Sequence, residues 1–574
     1  MSEALPPRGA RVGVGVGVVL GSMDASPLEF WIGVTGSEIL ELDDLVVAEV
    51  ALRDGRRVSF FGIVDVVRKR YEGSLFDSDA FRHAEGTLPV EVSYAAHVQV
   101  TRVDPEVFVP PQPGNEVRIA RGDEFQRALF IDRMPRKLAI GATRTGEPVF
   151  ANVDFLDGTR GAHASISGIS GVATKTSYAT FLLYSLFHGD ALGIDAANAR
   201  ALIFNVKGED LLWLDKPNVR NADGALAEQY ARLGLPAGPF DSVGFFAPAH
   251  RRSADVIMPE VGSRHEGVSA YVWTLREVAE EHLLRFAFPE ANDARSQLSF
   301  LIHRVERSLA RAAKDGAAGD PSITVFGQRL RSFDDLVELL DSDVLDQMVP
   351  KAAPGTLDAF RRRLHGAAQH MGHLVRGDRE AMGHRIDWQR QRVTVVDIHT
   401  LHEIAQMFVV GVLLKRMMAD KEIAGTARPL VFVVLDELNK YAPRTGWSPI
   451  QDVLLDIAER GRSLGVCLFG AQQTASEVER RIIANAAVKV VGRLDAAEAE
   501  RGEYGFLTRV ARQRATMLSP GTMIVAQPEL PTPILLRFPF PCWATRQGEV
   551  AAAPGGVGPG GVGGGAEDPF AGFS

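Results

Sequence analysis

Cysteine is nearly absent: of 574 residues only Cys467, inside an apolar run, and Cys542, near the end, carry a thiol. Two thiols build neither a disulfide framework nor a cysteine zinc site, so a reducing, cytoplasmic setting is expected. Long apolar runs are missing too. Stretches such as 13–20 and 179–187 fall well short of the ~18 residues that a membrane helix needs. Glycines interrupt the apolar stretch near the N-terminus, and no signal-peptide pattern results. Net positive charge is also lacking, since 63 Lys and Arg face 72 Asp and Glu, a formal charge of -9. That excludes a protein that coats nucleic acid with its whole surface, but it is compatible with a basic pore or cleft inside an acidic exterior.

What is present suits a large globular chain. Apolar residues make up 46% and charged residues 24%, enough to bury a sizeable core. At roughly 150 residues per domain, about three or four structural units are expected. Residues 1–135 alternate valine-rich runs with turn residues, for example 44–52, Asp54-Gly55 and 57–67, and predict a small N-terminal β-barrel. The proline-rich stretch 105–113 predicts a bend, and 138–157 a hairpin around Thr145-Gly146.

From residue 136 onward the pattern becomes α/β. Short apolar runs at 201–205, 393–397, 430–435, 466–470 and 488–491 alternate with helical stretches. Such runs predict a parallel sheet covered on both faces. Segments 136–250 and 392–550 would form this core, with 251–391 a helical insertion without a central strand. The tail 551–574 holds nine glycines among its 24 positions and is expected to be disordered.

The chemistry concentrates in His163-Ala-Ser-Ile-Ser-Gly168-Ile-Ser-Gly171-Val-Ala-Thr174-Lys175-Thr176-Ser177. A glycine-bearing turn from a strand into a helix, ending Lys-Thr, is suited to phosphate: backbone N–H groups of Gly168 through Ser177 cradle oxygens, Lys175 reaches the β/γ-phosphates and Thr176 ligates Mg²⁺. The spacing departs from G-x-x-x-x-G-K-[ST], which would want glycines at 169 and 174, where Ile169 and Thr174 stand. A plain strand-to-helix turn is the alternative. The run 430–435 ends in Asp436-Glu437, an acidic pair at the carboxyl end of a buried strand. Asp436 suits the Mg²⁺ shell and Glu437 the orientation of an attacking water; alternatively the pair caps a helix.

With these motifs in this order, residues 11–545 resemble the HerA branch of the HerA/FtsK translocase ATPases. Asn205-Val-Lys-Gly208-Glu209-Asp210 is similar to the family's D-P-x-G-E-Y, with Asn205 in place of its aspartate. Ile457-Ala-Glu-Arg460-Gly461-Arg462-Ser-Leu-Gly465 resembles A-R-E-G-R-K-x-G, and Ala471-Gln472-Gln473-Thr-Ala-Ser476-Glu477 resembles A-S-Q-R-P-S-E, with Gln473 on the sensor glutamine. The resemblance implies a RecA-like P-loop ATPase core, ATP and Mg²⁺ as cofactors, a homo-hexamer and double-stranded DNA in its pore. It also implies a nuclease or other effector at the barrel face, in DNA-end processing or anti-phage defence. Arg462 would be the arginine delivered in trans, with Arg460 and Arg493 as further candidates; solvated helix ends are the plain alternative for the first two. A non-translocating ring that binds nucleotide only to organise an effector is the second reading. Eight arginines between Arg361 and Arg392, against three acids, suit either a DNA channel or a solvated face.

Overall fold

The computed structural model describes residues 15–35, 38–72, 77–88, 91–169, 175–221, 224–251, 256–289, 297–317 and 319–551. The chain divides into two compact units, Met1–Lys137 with Ala526–Leu535, and Leu138–Val525 with Leu536–Ser574.

The first unit contains a closed six-stranded antiparallel barrel, in agreement with the valine-rich alternation. Its strands run in the order Gly15–Val19, Glu29–Val34, Val92–Asp104, Arg57–Tyr71, Leu45–Ala51 and Glu116–Ile119, and the last pairs with the first. Alternate residues point inward and fill it with Phe30, Ile32, Val46, Phe60, Val64, Val98 and Val117. Gly17 permits closure because a Cβ there would meet Gly33 O at 2.1 Å.

The second unit is built on a mixed sheet. Eight strands run parallel in the order Val268–Tyr271, Val243–Pro248, Val393–Asp397, Arg200–Asn205, Val431–Leu435, Val466–Gln472, Ala162–Ser167 and Ala486–Val491. Central strands such as Val-Phe-Val-Val-Leu at 431–435 are buried at every position, as a sheet covered on both faces requires. The expected hairpin extends the sheet: Lys137–Ala142 and Pro148–Asn152 flank a turn in which Thr143 N–H donates to Glu147 O at 2.8 Å, with Gly146 at φ +85°. Ile534–Arg537 pairs antiparallel with Lys137–Ala142, so the sheet is parallel in its core and mixed at that side.

The segment 251–391 departs from a purely helical insertion. Long helices, Gln297–Asp315 and Pro354–Met371, dominate it, but Val268–Tyr271 joins the edge of the large sheet. At four residues that strand is too short to show a period. Several of the clustered arginines serve the protein's own packing. Arg361 donates to Leu340 O at 3.3 Å, Arg376 to Asp378 at 2.7 Å, and Arg392 to Phe187 O and Ala196 O at 2.9 and 3.1 Å. The tail beyond Ala551 lies outside the described residues.

His163, on the strand Ala162–Ser167, accepts a hydrogen bond at Nδ1 from Leu468 N–H at 2.9 Å. Its ring is therefore neutral, and burial pushes it down to about 4 from 6.5. The unfolded chain takes up this proton below 6.5 and the folded chain only below about 4. Stability should fall as pH drops through that window, by up to about 3 kcal/mol. Thermal melts are expected to show this loss, and His163→Asn to flatten it. Equal slopes for the two proteins would remove His163 as the cause.

Candidate nucleotide site

The strand Ala162–Ser167 lies between Val466–Gln472 and Ala486–Val491, and its neighbours carry on pairing beyond its end. Gly168 N–H donates to Gln472 O at 3.1 Å and Ile169 N–H to Arg493 O at 2.8 Å. This fixes where the chain leaves the strand. Gly171 and Thr174 lie outside the described residues. Lys175, Thr176 and Ser177 are the first described residues of the helix Lys175–His188, and the first turn of a helix favours anions.

A cavity of about 360 Å³ opens there, lined by Lys175, Thr176, Ser177, Lys207 and Asp436 among others. Lys175 is buried and donates through Nζ to Gly168 O at 2.7 Å. Burial pushes its ammonium down to about 8; Lys207 adds repulsion, while Asp436 and Glu437 oppose the shift. Thr176 Oγ1 donates to Asp436 Oδ2 at 3.1 Å. These two residues are 260 positions apart in sequence, and the sheet brings them together because the strands ending at Ser167 and Leu435 point the same way. Hydroxyl and carboxylate oxygens at this separation fit a magnesium ion, which takes few protein oxygens and keeps its waters.

Glu437 leaves the strand in a left-handed conformation, φ +58° and ψ +43°. Its N–H donates to Asp436 Oδ1 at 2.8 Å. A non-glycine residue held there is costly by about 1–3 kcal/mol and is characteristic of functional sites. The helix Leu438–Tyr441 follows directly, yet Glu437 makes no side-chain cap bond to it, so helix capping does not account for the acid.

The other expected residues fall elsewhere. Gln473 is exposed, whereas Gln472, one position earlier, is buried and donates through Nε2 to Ser165 and Ser167 at 2.8 and 2.9 Å. Arg462 lies near the end of the helix Gln451–Leu464, before the strand Val466–Gln472 begins. That is the amino edge of the sheet, opposite Lys175 and Asp436 in the same chain. Its Nε and Nη2 donate to Gly158 O and Thr159 O at 3.0 and 2.8 Å. Arg460 pairs with Asp456 at 2.9 Å and with Glu422. Arg493 is exposed beside the loop's first residues. Asn205 is structural: Nδ2 donates to Asp397 Oδ1 at 2.9 Å and to Gly208 O at 2.6 Å.

Sequence reading missed Lys207, whose Nζ is 3.2 Å from Asp436 Oδ2 and 3.5 Å from Glu437 Oε1. It also missed the cavity's far wall, where Phe540, Trp543, Arg546 and Glu549 approach from the end of the chain. Asp210 lines the same cavity, and burial raises its carboxyl above the usual range. The tandem of basic and acidic residues in 205–210 was the available signal for Lys207; nothing local marked the 540–549 wall.

No protein-family profile matches the chain, and no curated protein matches it. Among solved structures it is similar to VirB4 of Thermoanaerobacter pseudethanolicus, at 15% identity over 73% of this chain and 98% of that one, with a TM-score of 0.45. It is also similar to the plasmid coupling protein TrwB in complex with ADP and Mg2+, at 14% identity over 76% of this chain and 95% of that one, TM-score 0.46. A shorter likeness, 12% identical with a TM-score of 0.20, covers 26% of this chain and 69% of the genome packaging NTPase B204 from Sulfolobus turreted icosahedral virus 2. In architecture the chain combines a RecA-like α/β core, its Lys-Thr helix and Asp-Glu strand meeting at one sheet edge, with a closed six-stranded barrel.

Proposed function

We propose that this chain is a HerA-like, ATP-hydrolysing DNA translocase that works as a homo-hexameric ring. The observation that carries the reading is the convergence of Lys175, Thr176 and Asp436 on one cavity, with Glu437 next in the chain to Asp436 and 3.5 Å from Lys207 of the cavity wall. Lys175 and the helix N-terminus hold the phosphates, and Thr176 with Asp436 would hold Mg²⁺, which supplies neutralising charge to the phosphoryl oxygens. Glu437 orients and polarises the attacking water. Arg462 cannot reach its own chain's site from the amino edge of the sheet, which supports delivery from a neighbouring subunit, with Gln473 and Arg493 near the γ-phosphate side.

A basic cleft of about 890 Å³ supports a DNA contact close to this site. Arg444, Arg480, Lys489 and Arg501 line it with Glu477 and Glu503. Its walls are the loops that follow Glu437 and Gln472, tied together by Arg444 N–H to Glu477 O and Glu479 N–H to Ala442 O, at 2.8 and 2.9 Å. Movement at the nucleotide would thus be felt at the cleft. A nuclease or other effector at the barrel unit, in DNA-end processing or anti-phage defence, completes the reading.

The test is ATP hydrolysis with and without duplex DNA, alongside light scattering of the assembly. Stimulation by DNA, and recovery of activity on mixing Arg462→Ala chains with Lys175→Ala chains, are the expected results. A wild type that forms rings yet hydrolyses no faster than Glu437→Gln would leave a nucleotide-bound scaffold for an effector in place of a motor.

A further inference from the structure

The loop that follows the strand Arg200–Asn205 is pinned on both sides of Lys207. Before it, Asn205 Nδ2 bridges Asp397 Oδ1 and Gly208 O, at 2.9 and 2.6 Å. After it, the Glu209 carboxylate accepts from Gly262 N–H at 2.5 Å, from Ser263 N–H at 2.8 Å and from the Ser263 hydroxyl. The backbone beneath Lys207 is therefore held. Its side chain is 43% exposed and borders the cavity that also contains Lys175 and Thr176, so the ammonium has room to swing.

That ammonium contacts a particular oxygen. Asp436 Oδ2 accepts from Thr176 Oγ1 at 3.1 Å and from Lys207 Nζ at 3.2 Å, and Lys207 is also 3.5 Å from Glu437 Oε1. A cationic group of the chain thus lies against the oxygen that a magnesium ion would share with Thr176. Two cations on one carboxylate oxygen repel strongly in a site this sheltered, where the Asp436 side chain is only 6% exposed. Arrival of a metal-bound triphosphate removes the reason for Lys207 to stay. It also brings a new anion within a side chain's swing of the fixed loop.

We propose that Lys207 is a resident cation of the acidic pair: it holds Asp436 and Glu437 while the site is nucleotide-free and moves its ammonium to the γ-phosphate when ATP is bound. The inference rests on the ATPase reading above. Until triphosphate arrives, Glu437 is neutralised by Lys207 and does not act on water. ADP has no γ-phosphate to accept the ammonium, so with ADP bound Lys207 stays beside Glu437. Release of Glu437 is thereby tied to the triphosphate, without any movement of the sheet.

Two measurements on the full chain test this, neither of which is turnover. Fluorescent ATP and ADP analogues give the ratio of the two affinities, and paramagnetic resonance follows Mn²⁺ uptake by nucleotide-free protein. Lys207→Met is expected to lower the preference for ATP over ADP about tenfold and to bind Mn²⁺ at about tenfold lower concentration. Lys207→Arg, which keeps the charge, is expected to retain most of the preference. If Lys207→Met fails to fold, Lys207→Gln reads the same two quantities. Wild-type values for either quantity, in a variant whose parent binds both nucleotides, overturn the proposal alone. A parent that binds no nucleotide overturns the ATPase reading and this proposal together.

Discussion

Glu437→Gln is expected to lower ATP turnover by about 10²–10⁴-fold while ATP affinity changes little. The substitution is nearly isosteric, so the left-handed backbone at φ +58° and the N–H bond to Asp436 Oδ1 are preserved. What is lost is the carboxylate's capacity to accept a proton from water. Loss of the charge also frees Lys207 from one of its two partners, which favours its contact with phosphate. Phosphate release in steady state, together with titration by a fluorescent ATP analogue, separates the two effects. A variant that turns over at the parental rate would remove Glu437 from the chemistry.

Lys175→Met is expected to act on function and stability with opposite signs. ATP affinity should drop about 100-fold, since the ammonium's charge-assisted contacts with phosphate go. The nucleotide-free protein should nevertheless melt at a higher temperature. Lys175 is 4% exposed, and an ammonium kept there forgoes hydration that a methionine never needed. Asp436 is not orphaned by the change because Thr176 and Lys207 still donate to it. Melting curves with and without ATP provide the check. A variant that melts lower without nucleotide and binds ATP as its parent does would refute both halves. Functional sites are where local stability is commonly given up for chemistry.

The parts of the site legible in the sequence are those defined by local order. Lys175-Thr176 announces itself as a strand-turn-helix junction, and Asp436-Glu437 as acids closing a buried apolar run. Both readings use only neighbours in the chain. Lys207 escaped because its meaning comes from partners 229 residues away, and the wall at 540–549 because it returns to the cavity from the far end of the chain. The two glutamines at the end of the strand Val466–Gln472 differ in environment: successive residues face opposite sides, so Gln472 enters the core while Gln473 is exposed. The barrel was legible from alternation alone, whereas the four-residue strand Val268–Tyr271 inside a helical stretch was not.

Closure of the barrel limits how anything can attach to it. In an open sheet the outermost strand offers a ladder of unused N–H and C=O groups that a visiting peptide can extend. Here Glu116–Ile119 returns to Gly15–Val19, so among the described residues the six-stranded ring is closed, and only the ribbon of Val66–Tyr71 with Val92–His97 runs past it. A protein recognised on the closed ring is read through side chains and loops. Exposed apolar side chains such as Leu28, Ile39, Phe81 and Phe108 are the available handholds, which makes such recognition sensitive to single substitutions and indifferent to the visitor's backbone.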